Sequence, residues 1–319
     1  MKVLVAGATG VLGRRLIPLL VNAGHEVVGT SRSPVRAEGL RQQGARGVVV
    51  DALDKKRVEE VMSMERPEVV IHELSDIPRL LDPSRVSAQF GGNVRLRTEG
   101  TRNLVNAASE AGVLRVVAQS YAHIYEPRGS WVKGEDETIN TGPEDSFPRY
   151  RNVNALSELE KIVLQTPGIE GVVLRYGTLY GPGTAYAPAG SIAQLVRMRH
   201  YPIVGGGRGV TSFLHVDDAA AATVLALKGP SGVFNICDDE PASVAEWLPY
   251  YAQLLDAPPP HRVPAFAVRA LGREHFAYRS TEQRGAFNGK AKVELGWTPM
   301  YPSWRQGFRT ELEAVRMAA

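Results

Sequence analysis

Along the first 180 residues, short apolar runs alternate with stretches whose apolar positions recur every three to four residues. The runs at 2–6, 26–30, 47–50, 69–72, 115–119 and 171–175 are rich in β-branched residues. Most are almost continuously hydrophobic, as strands covered on both faces must be. The stretches at 12–23, 36–43, 56–64, 98–111 and 154–164 have helical periodicity, as in Leu156, Leu159 and Val163. Strands and helices in alternation predict βαβ units and an α/β fold, a Rossmann-type doubly wound parallel sheet. After Tyr180 the texture changes to a Gly/Pro-rich loop, GPGTAYAPAG, and then a helix at 191–199. The glycine turn at 205–209 reads as a flexible loop, since no GK[ST] follows it. Strands at 212–216 and 232–236 flank a helix at 217–227, and later helices are interrupted by the prolines at 258–260. This pattern predicts a Rossmann domain over 1–180 to whose sheet residues about 211–236 return. A smaller substrate lobe follows from 181–210 and 237–319.

Composition narrows the function. Of 319 residues, 44% are hydrophobic and 22% charged, and 37 basic against 34 acidic residues leave a net charge of only +3. No basic stretch is interleaved with aromatics, which argues against nucleic acid. No segment approaches the ~18 apolar residues of a membrane span. The first strand begins at once, leaving no room for a signal peptide. The single cysteine, Cys237, excludes an internal disulfide and offers no CxxC pattern, so a reducing, cytoplasmic location is expected.

The strongest chemical signal is MKVLVAGATGVLG at 1–13, an apolar strand leading directly into Gly7, Gly10, Gly13 and a helix. The first glycine permits the turn, the second admits a pyrophosphate to the backbone, and the third lets helix and strand pack closely. The helix N-terminus offers free N–H groups and a positive dipole end to the phosphates. The second strand ends Thr30-Ser31-Arg32, where an NAD-preferring domain has an acid for the ribose 2′-hydroxyl. A hydroxyl and a guanidinium suit a 2′-phosphate instead, so NADP(H) is the expected cofactor. Asp51 after the third strand is placed to accept from adenine or to cap the following helix. The candidate cofactor contacts are Gly7, Thr9, Gly10, Val11, Leu12, Gly13, Ser31, Arg32, Asp51, Ala52, Leu74, Gln119, Tyr176 and Gly177.

With these residues, five further blocks make the chain resemble the extended short-chain dehydrogenase/reductases, the NAD-dependent epimerase/dehydratase family. They are EGTRNLVNAASEAGVLRVV at 99–117, VVLRYGTLYGPGT at 172–184, FLHVDDAAAATVLAL at 213–227, GVFNICDDEPASVAEW at 232–247 and KAKVELGWTP at 290–299. The resemblance implies catalysis by a Ser or Thr with a Tyr and a Lys in a YxxxK pair. The lysine would hold the ribose and lower the phenol pKa. This chain departs from that pattern. In Gln119-Ser120-Tyr121-Ala122-His123-Ile124-Tyr125 the usual serine position holds Tyr121, with Ser120 one residue earlier. Ser120 is then placed either to reach a substrate carbonyl or to bond backbone. One register of YxxxK takes Tyr150 and Asn154; the other, fitted to the apolar phase of the helix, takes Asn152 and Leu156. The second fits better, because the first buries Glu160 and Lys161. Neither supplies the lysine.

An unactivated phenol, near pKa ~10, donates a proton more readily than it accepts one at neutral pH. The resemblance therefore implies an NADP(H)-dependent reductase of a carbonyl on a small or medium organic substrate. Ser120, Tyr121 and Tyr150 are the candidate catalytic residues. The alternatives are a nucleotide-sugar epimerase or dehydratase and a non-catalytic NADP-binding regulator. A homodimer through the helices near 96–111 and 154–164 is a further family expectation. Tyr125 and Tyr176 are candidate pocket residues, and Trp131 and Lys133 lie in a possible lid at 126–149. His72, His123 and His215 lack metal-ligand spacing and read as core histidines, while Asp217 and Asp218 read as helix caps.

Overall fold

The computed structural model describes residues 1–76, 91–144 and 146–318. Seven parallel strands form the central sheet: β1 (Lys2–Ala6), β2 (Glu26–Ser31), β3 (Arg46–Val49), β4 (Val69–His72), β5 (Arg115–Tyr121), β6 (Glu170–Tyr176) and β7 (Gly232–Ile236). Their order across the sheet is β7-β6-β5-β4-β1-β2-β3. The order reverses between β1 and β4, which opens a crevice at the carboxyl ends of those strands.

The helices are α1 (Gly13–Asn22), α2 (Pro34–Gly39), α3 (Lys55–Glu65), α4 (Thr101–Glu110), α5 (Pro148–Gln165), α6 (Ser191–Arg197), α7 (Val216–Leu225), α8 (Val244–Leu254), α9 (Glu274–Thr281) and α10 (Trp304–Ala318). Alternate strand residues feed two cores. Val3, Val5, Ile71, Val117 and Leu174 pack under α1 and α7, while Leu4, Val70, Val116, Ala118 and Val173 pack under α3, α4 and α5. A third core, rich in aromatics, holds the lobe together through Tyr180, Phe213, Trp247, Trp304 and Phe308.

Three elements depart from the sequence reading. Helix α5 starts at Pro148, six residues before the expected start at Asn154. The residues at 98–100 are not α-helical but close a π-helical turn, Leu96–Gly100, ahead of α4. Of residues 211–236 only β7 joins the main sheet, while Phe213–His215 pairs instead with Thr178–Tyr180. The segment expected to be a lid is stitched down, because Val132–Lys133 pairs with Gly285–Ala286. Trp131 is covered by the guanidinium of Arg284 at 3.9 Å, and Lys133 is buried against Glu137. The turn at 205–209 is likewise fixed rather than flexible: Gly209 N–H donates to Ser280, and the Gly207 and Gly209 carbonyls accept from Ala245 and Val244.

Candidate active site

The glycine turn separates into packing and open positions. Gly7 has φ +94°, and a Cβ there would stand 2.5 Å from the Glu73 carbonyl oxygen, so only glycine lets β1 pass the end of β4 so closely. At Gly13 a Cβ would lie 2.4 Å from the Ala8 carbonyl oxygen. Gly10 is different. It is exposed, and a Cβ there would meet only the Gly7 carbonyl, at 3.2 Å. Above it α1 begins with no side-chain cap, the Arg14 and Arg15 amides bonding the Gly10 and Leu12 carbonyls of the turn itself. Thr9 and Val11 flank Gly10, and Leu12 turns into the core. A bare helix N-terminus beside a glycine with free space above it fits a pyrophosphate.

At the end of β2, Ser31 is buried with its hydroxyl 3.3 Å from that of Thr9, and it accepts the Ser33 amide at 3.2 Å. Arg32 points outward, its guanidinium 3.3 Å from the Asp76 carboxylate, with both side chains about half exposed. Asp51 accepts the Leu53 amide at 3.0 Å, and the cap expected of it belongs to Asp54, which accepts from Arg57 at 3.1 Å. Ala52 is buried, its carbonyl held by Asn103 at 2.9 Å. Gln119 donates to the Leu74 carbonyl at 2.9 Å, which ties β5 to the chain leaving β4. Gly177 is a packing glycine, since a Cβ would lie 2.7 Å from the Ser212 carbonyl oxygen.

The catalytic candidates do not converge. Ser120 turns beneath the sheet and donates to Glu160 at 2.6 Å; it bonds neither backbone nor the open crevice. Glu160 is also gripped by Arg175, at 2.9 and 2.6 Å. Arg175 donates onward to the Tyr125 hydroxyl at 3.0 Å, and Tyr125 donates to Asn235 at 2.6 Å. Ser120 and Tyr125 therefore belong to a buried network. Tyr176 is only 2% exposed, so it does not line an open pocket. Its hydroxyl lies 2.7 Å from that of Thr223 and donates to Glu73 at 3.0 Å. Burial pushes the Glu73 carboxyl up to about 8, against the opposing hydrogen bond from Tyr176.

On α5 the apolar phase decides the register. Leu156 is 2% exposed and packs with Ile124 and Val153 beside Tyr121. In the register fitted to the apolar phase, the lysine's position is therefore apolar core and Asn152 stands in the tyrosine's place. Lys161 is exposed, whereas Glu160 is buried after all, tolerated there because Arg175 neutralises it. Asn154 spends its amide on Gly142, donating to the carbonyl at 2.9 Å and accepting the amide at 3.3 Å, so it is not free for a ribose. Tyr150 packs against Gly142 and edge-on to Phe147.

Tyr121 alone of the three stands with the residues at the open end of the sheet. It ends β5 opposite Tyr176, its hydroxyl 3.4 Å from that of Thr178 and its ring centroid 4.8 Å from His123. Around it lie Arg97, Arg149 and Arg279, none of which the sequence reading singled out. Each is one arginine among many in a helical stretch, with no local signal. The remaining candidates are structural. His72, His123 and His215 are buried and hydrogen-bonded. The cap of α7 is His215 rather than the aspartates, and Asp218 accepts the Met300 and Tyr301 amides at 2.7 and 3.0 Å.

Comparison with known proteins agrees with this architecture. Residues 3–237 match the model of the NAD dependent epimerase/dehydratase family. The chain belongs to that family. It is similar, at 47% identity over 98% of its length and 100% of the relative's, to the 3-diazoavenalumate denitrifying reductase of a Streptomyces species. It is 27% identical, over 78% of its length and 71% of the relative's, to the 4-hydroxy-2-methyl-3-oxo-4-farnesyl-3,4-dihydroquinoline-1-oxide ketoreductase of Stigmatella aurantiaca. The solved structure of MoeE5 in complex with UDP-glucuronic acid and NAD covers both chains completely, with a TM-score of 0.74 at 26% identity.

Proposed function

We propose that this family member is an NADP(H)-dependent reductase whose hydride acceptor needs no activated tyrosine, an aryl diazo acid being the acceptor class favoured. The observation that carries the reading is Leu156, buried where the family's lysine belongs. Without that lysine the family's tyrosine–lysine base is missing. An epimerase or dehydratase must first oxidise its sugar, which requires such a base. Reduction makes a lighter demand. A bound reduced nicotinamide dinucleotide supplies the hydride. A carbonyl that accepts hydride leaves an alkoxide that must still be protonated. An aryl diazonium carbon that accepts hydride and releases dinitrogen is complete, with charge balanced and no proton moved. The missing tyrosine–lysine pair suits the second case, and the Streptomyces relative at 47% identity carries a denitrifying reductase name.

Carbonyl reduction is the second reading, favoured by the ketoreductase relative. For the cofactor, the turn at Gly10 would receive the pyrophosphate, and Ser31 and Arg32 the 2′-phosphate. The protein's own task is to hold the acceptor at the end of β5 and keep water from it.

The test is NADPH oxidation with an aryl diazonium carboxylate, with dinitrogen collected, beside a panel of aldehydes and ketones. Dinitrogen release matched to NADPH consumption, with less than about tenfold loss in Tyr150→Phe, Tyr121→Phe and Ser120→Ala, is expected. A general acid would cost ~10²–10⁴-fold. Alcohol formation with a thousandfold loss confined to Tyr150→Phe would restore that tyrosine as the acid. No NADPH consumption with any acceptor would leave a cofactor-binding regulator.

A further inference from the structure

Three guanidiniums from three separate elements lie within electrostatic reach of the Tyr121 phenol. Arg97 comes from the π-turn ahead of α4, Arg149 from the first turn of α5, and Arg279 from α9 in the lobe. Burial holds the Arg97 guanidinium down to about 10, against the raising effect of the Tyr121 phenol. Arg149 and Arg279 lie within electrostatic reach of the same phenol.

Arg149 is 5% exposed. One of its nitrogens donates to the His123 carbonyl at 2.8 Å, and its plane lies over the Tyr278 ring at 4.4 Å. Its other terminal nitrogen, Nη1, is buried with no partner. Arg279 donates to the Tyr186 hydroxyl at 3.3 Å. Among the described residues none of the three has a carboxylate within 4.0 Å, although the nearby Arg175 and Arg151 both do.

His123 completes the set. Its Nε2 accepts the Ser212 amide at 2.9 Å, so the neutral ring carries its proton on Nδ1, which is buried and without an acceptor. Burial first, then the charges of Arg279 and Arg149, lower His123 to about 3 and keep it neutral. The same causes lower His275 to about 3. Buried guanidiniums are costly unless paired, and unpaired donors more so. Here Nη1 of Arg149 and Nδ1 of His123, two buried donors on neighbouring elements joined by the Arg149–His123 hydrogen bond, have no acceptor among the described residues.

We propose that Arg97, Arg149 and Arg279, with Nδ1–H of His123, form the seat for a carboxylate of the substrate. The seat would place an aromatic acid's ring among Tyr121, His123 and Tyr278. This rests on the reductase reading for its position beside the hydride donor, but the binding itself needs no turnover. Diphosphate is the other anion such a cluster could take, and the experiment separates the two.

The measurement is equilibrium titration of NADP⁺-saturated protein with cinnamate, cinnamamide and UDP. Cinnamate is expected to bind at least tenfold tighter than its uncharged amide. In Arg97→Gln cinnamate should weaken by roughly ten- to a hundredfold, with the amide and NADP⁺ unchanged and with recovery in Arg97→Lys. Arg149→Gln should do the same where its melting curve shows it folded. Arg97 is partly exposed and closes no ion pair among the described residues, so Arg97→Gln carries the test if Arg149→Gln fails to fold. Equal binding of acid and amide, or no loss in Arg97→Gln, would overturn the proposal, as would UDP binding in place of cinnamate. If cinnamate binds as expected while no acceptor consumes NADPH, the reductase reading fails and the anion seat stands.

Discussion

Replacing Arg32 by alanine tests the proposed 2′-phosphate contact. Among the described residues this guanidinium has one charged neighbour, Asp76 at 3.3 Å, and the two side chains are 61% and 44% exposed. A pair that open to water is worth about 0–1 kcal/mol, so Arg32→Ala should barely move the melting temperature. A charge-assisted hydrogen bond to phosphate is worth about 1.5–3 kcal/mol, and solvent exposure places this one at the lower end. The expected loss for NADP⁺ is therefore about tenfold, with NAD⁺ nearly unchanged. Asp76 sharpens the expectation. It neutralises Arg32 before the phosphate arrives, and in Arg32→Ala its carboxylate remains beside the 2′ position. Asp76→Asn should thus tighten NADP⁺ by a few-fold, and Arg32→Ala with Asp76→Asn should bind both dinucleotides about equally. Calorimetric titration of the four proteins with both dinucleotides is the assay. Equal losses for NAD⁺ and NADP⁺ in Arg32→Ala, or wild-type protein that prefers NAD⁺, would refute the reasoning.

Three further substitutions test other positions. Gly10→Val should leave the circular dichroism spectrum and melting temperature close to wild type but abolish dinucleotide binding, since its Cβ meets only one carbonyl at 3.2 Å. Gly13→Val should cost ~3 kcal/mol or more of stability, because its Cβ would sit 2.4 Å from the backbone of Ala8; a Gly10→Val protein with full affinity would show that the pyrophosphate lies elsewhere. Glu73 makes stability fall with rising pH. Its folded pKa, raised by burial to about 8, lies above the unfolded value, so between about pH 4.5 and 8 the folded state holds a proton that the unfolded chain has lost. Urea denaturation of Glu73→Gln should show the mutant gaining on wild type by up to ~1.4 kcal/mol per pH unit across that window and levelling above pH 8; parallel pH profiles would contradict the assignment.

What the sequence made legible was whatever is written locally. The strands announced themselves because a parallel sheet covered on both faces leaves no polar positions to confuse the period, and Gly7, Gly10 and Gly13 because they follow one directly. The α5 register was also legible, since Leu156, Leu159 and Val163 fix which face is inward. Where α5 begins was not, because its first turn, Arg149 to Asn152, is polar and is held by tertiary contacts rather than by apolar spacing. Ser120 was ambiguous for a related reason: its partners, Glu160 and Arg175, lie 40 and 55 residues away, and strand alternation settles its face only when both are in place. The arginines around Tyr121 gave no signal at all. Arg97, Arg149 and Arg279 acquire meaning only from their convergence, and no one-dimensional pattern records that.

The stitching of Val132–Lys133 to Gly285–Ala286 also orders events during synthesis. Arg284 grips the Pro127 carbonyl across 157 residues, and Asn235 donates to the carbonyls of both Lys133 and Phe287. At about 5–20 residues per second, the segment after β5 leaves the ribosome roughly 8–30 s before its partner strand exists. Through that interval Trp131 lacks the Arg284 guanidinium that covers it, and Glu135 lacks the Asn235 amide it accepts for the first part. The nascent chain thus holds all seven strands of the central sheet before Val132–Lys133 gains its partner strand, and a chain halted before about residue 285 would display the sheet without that pairing.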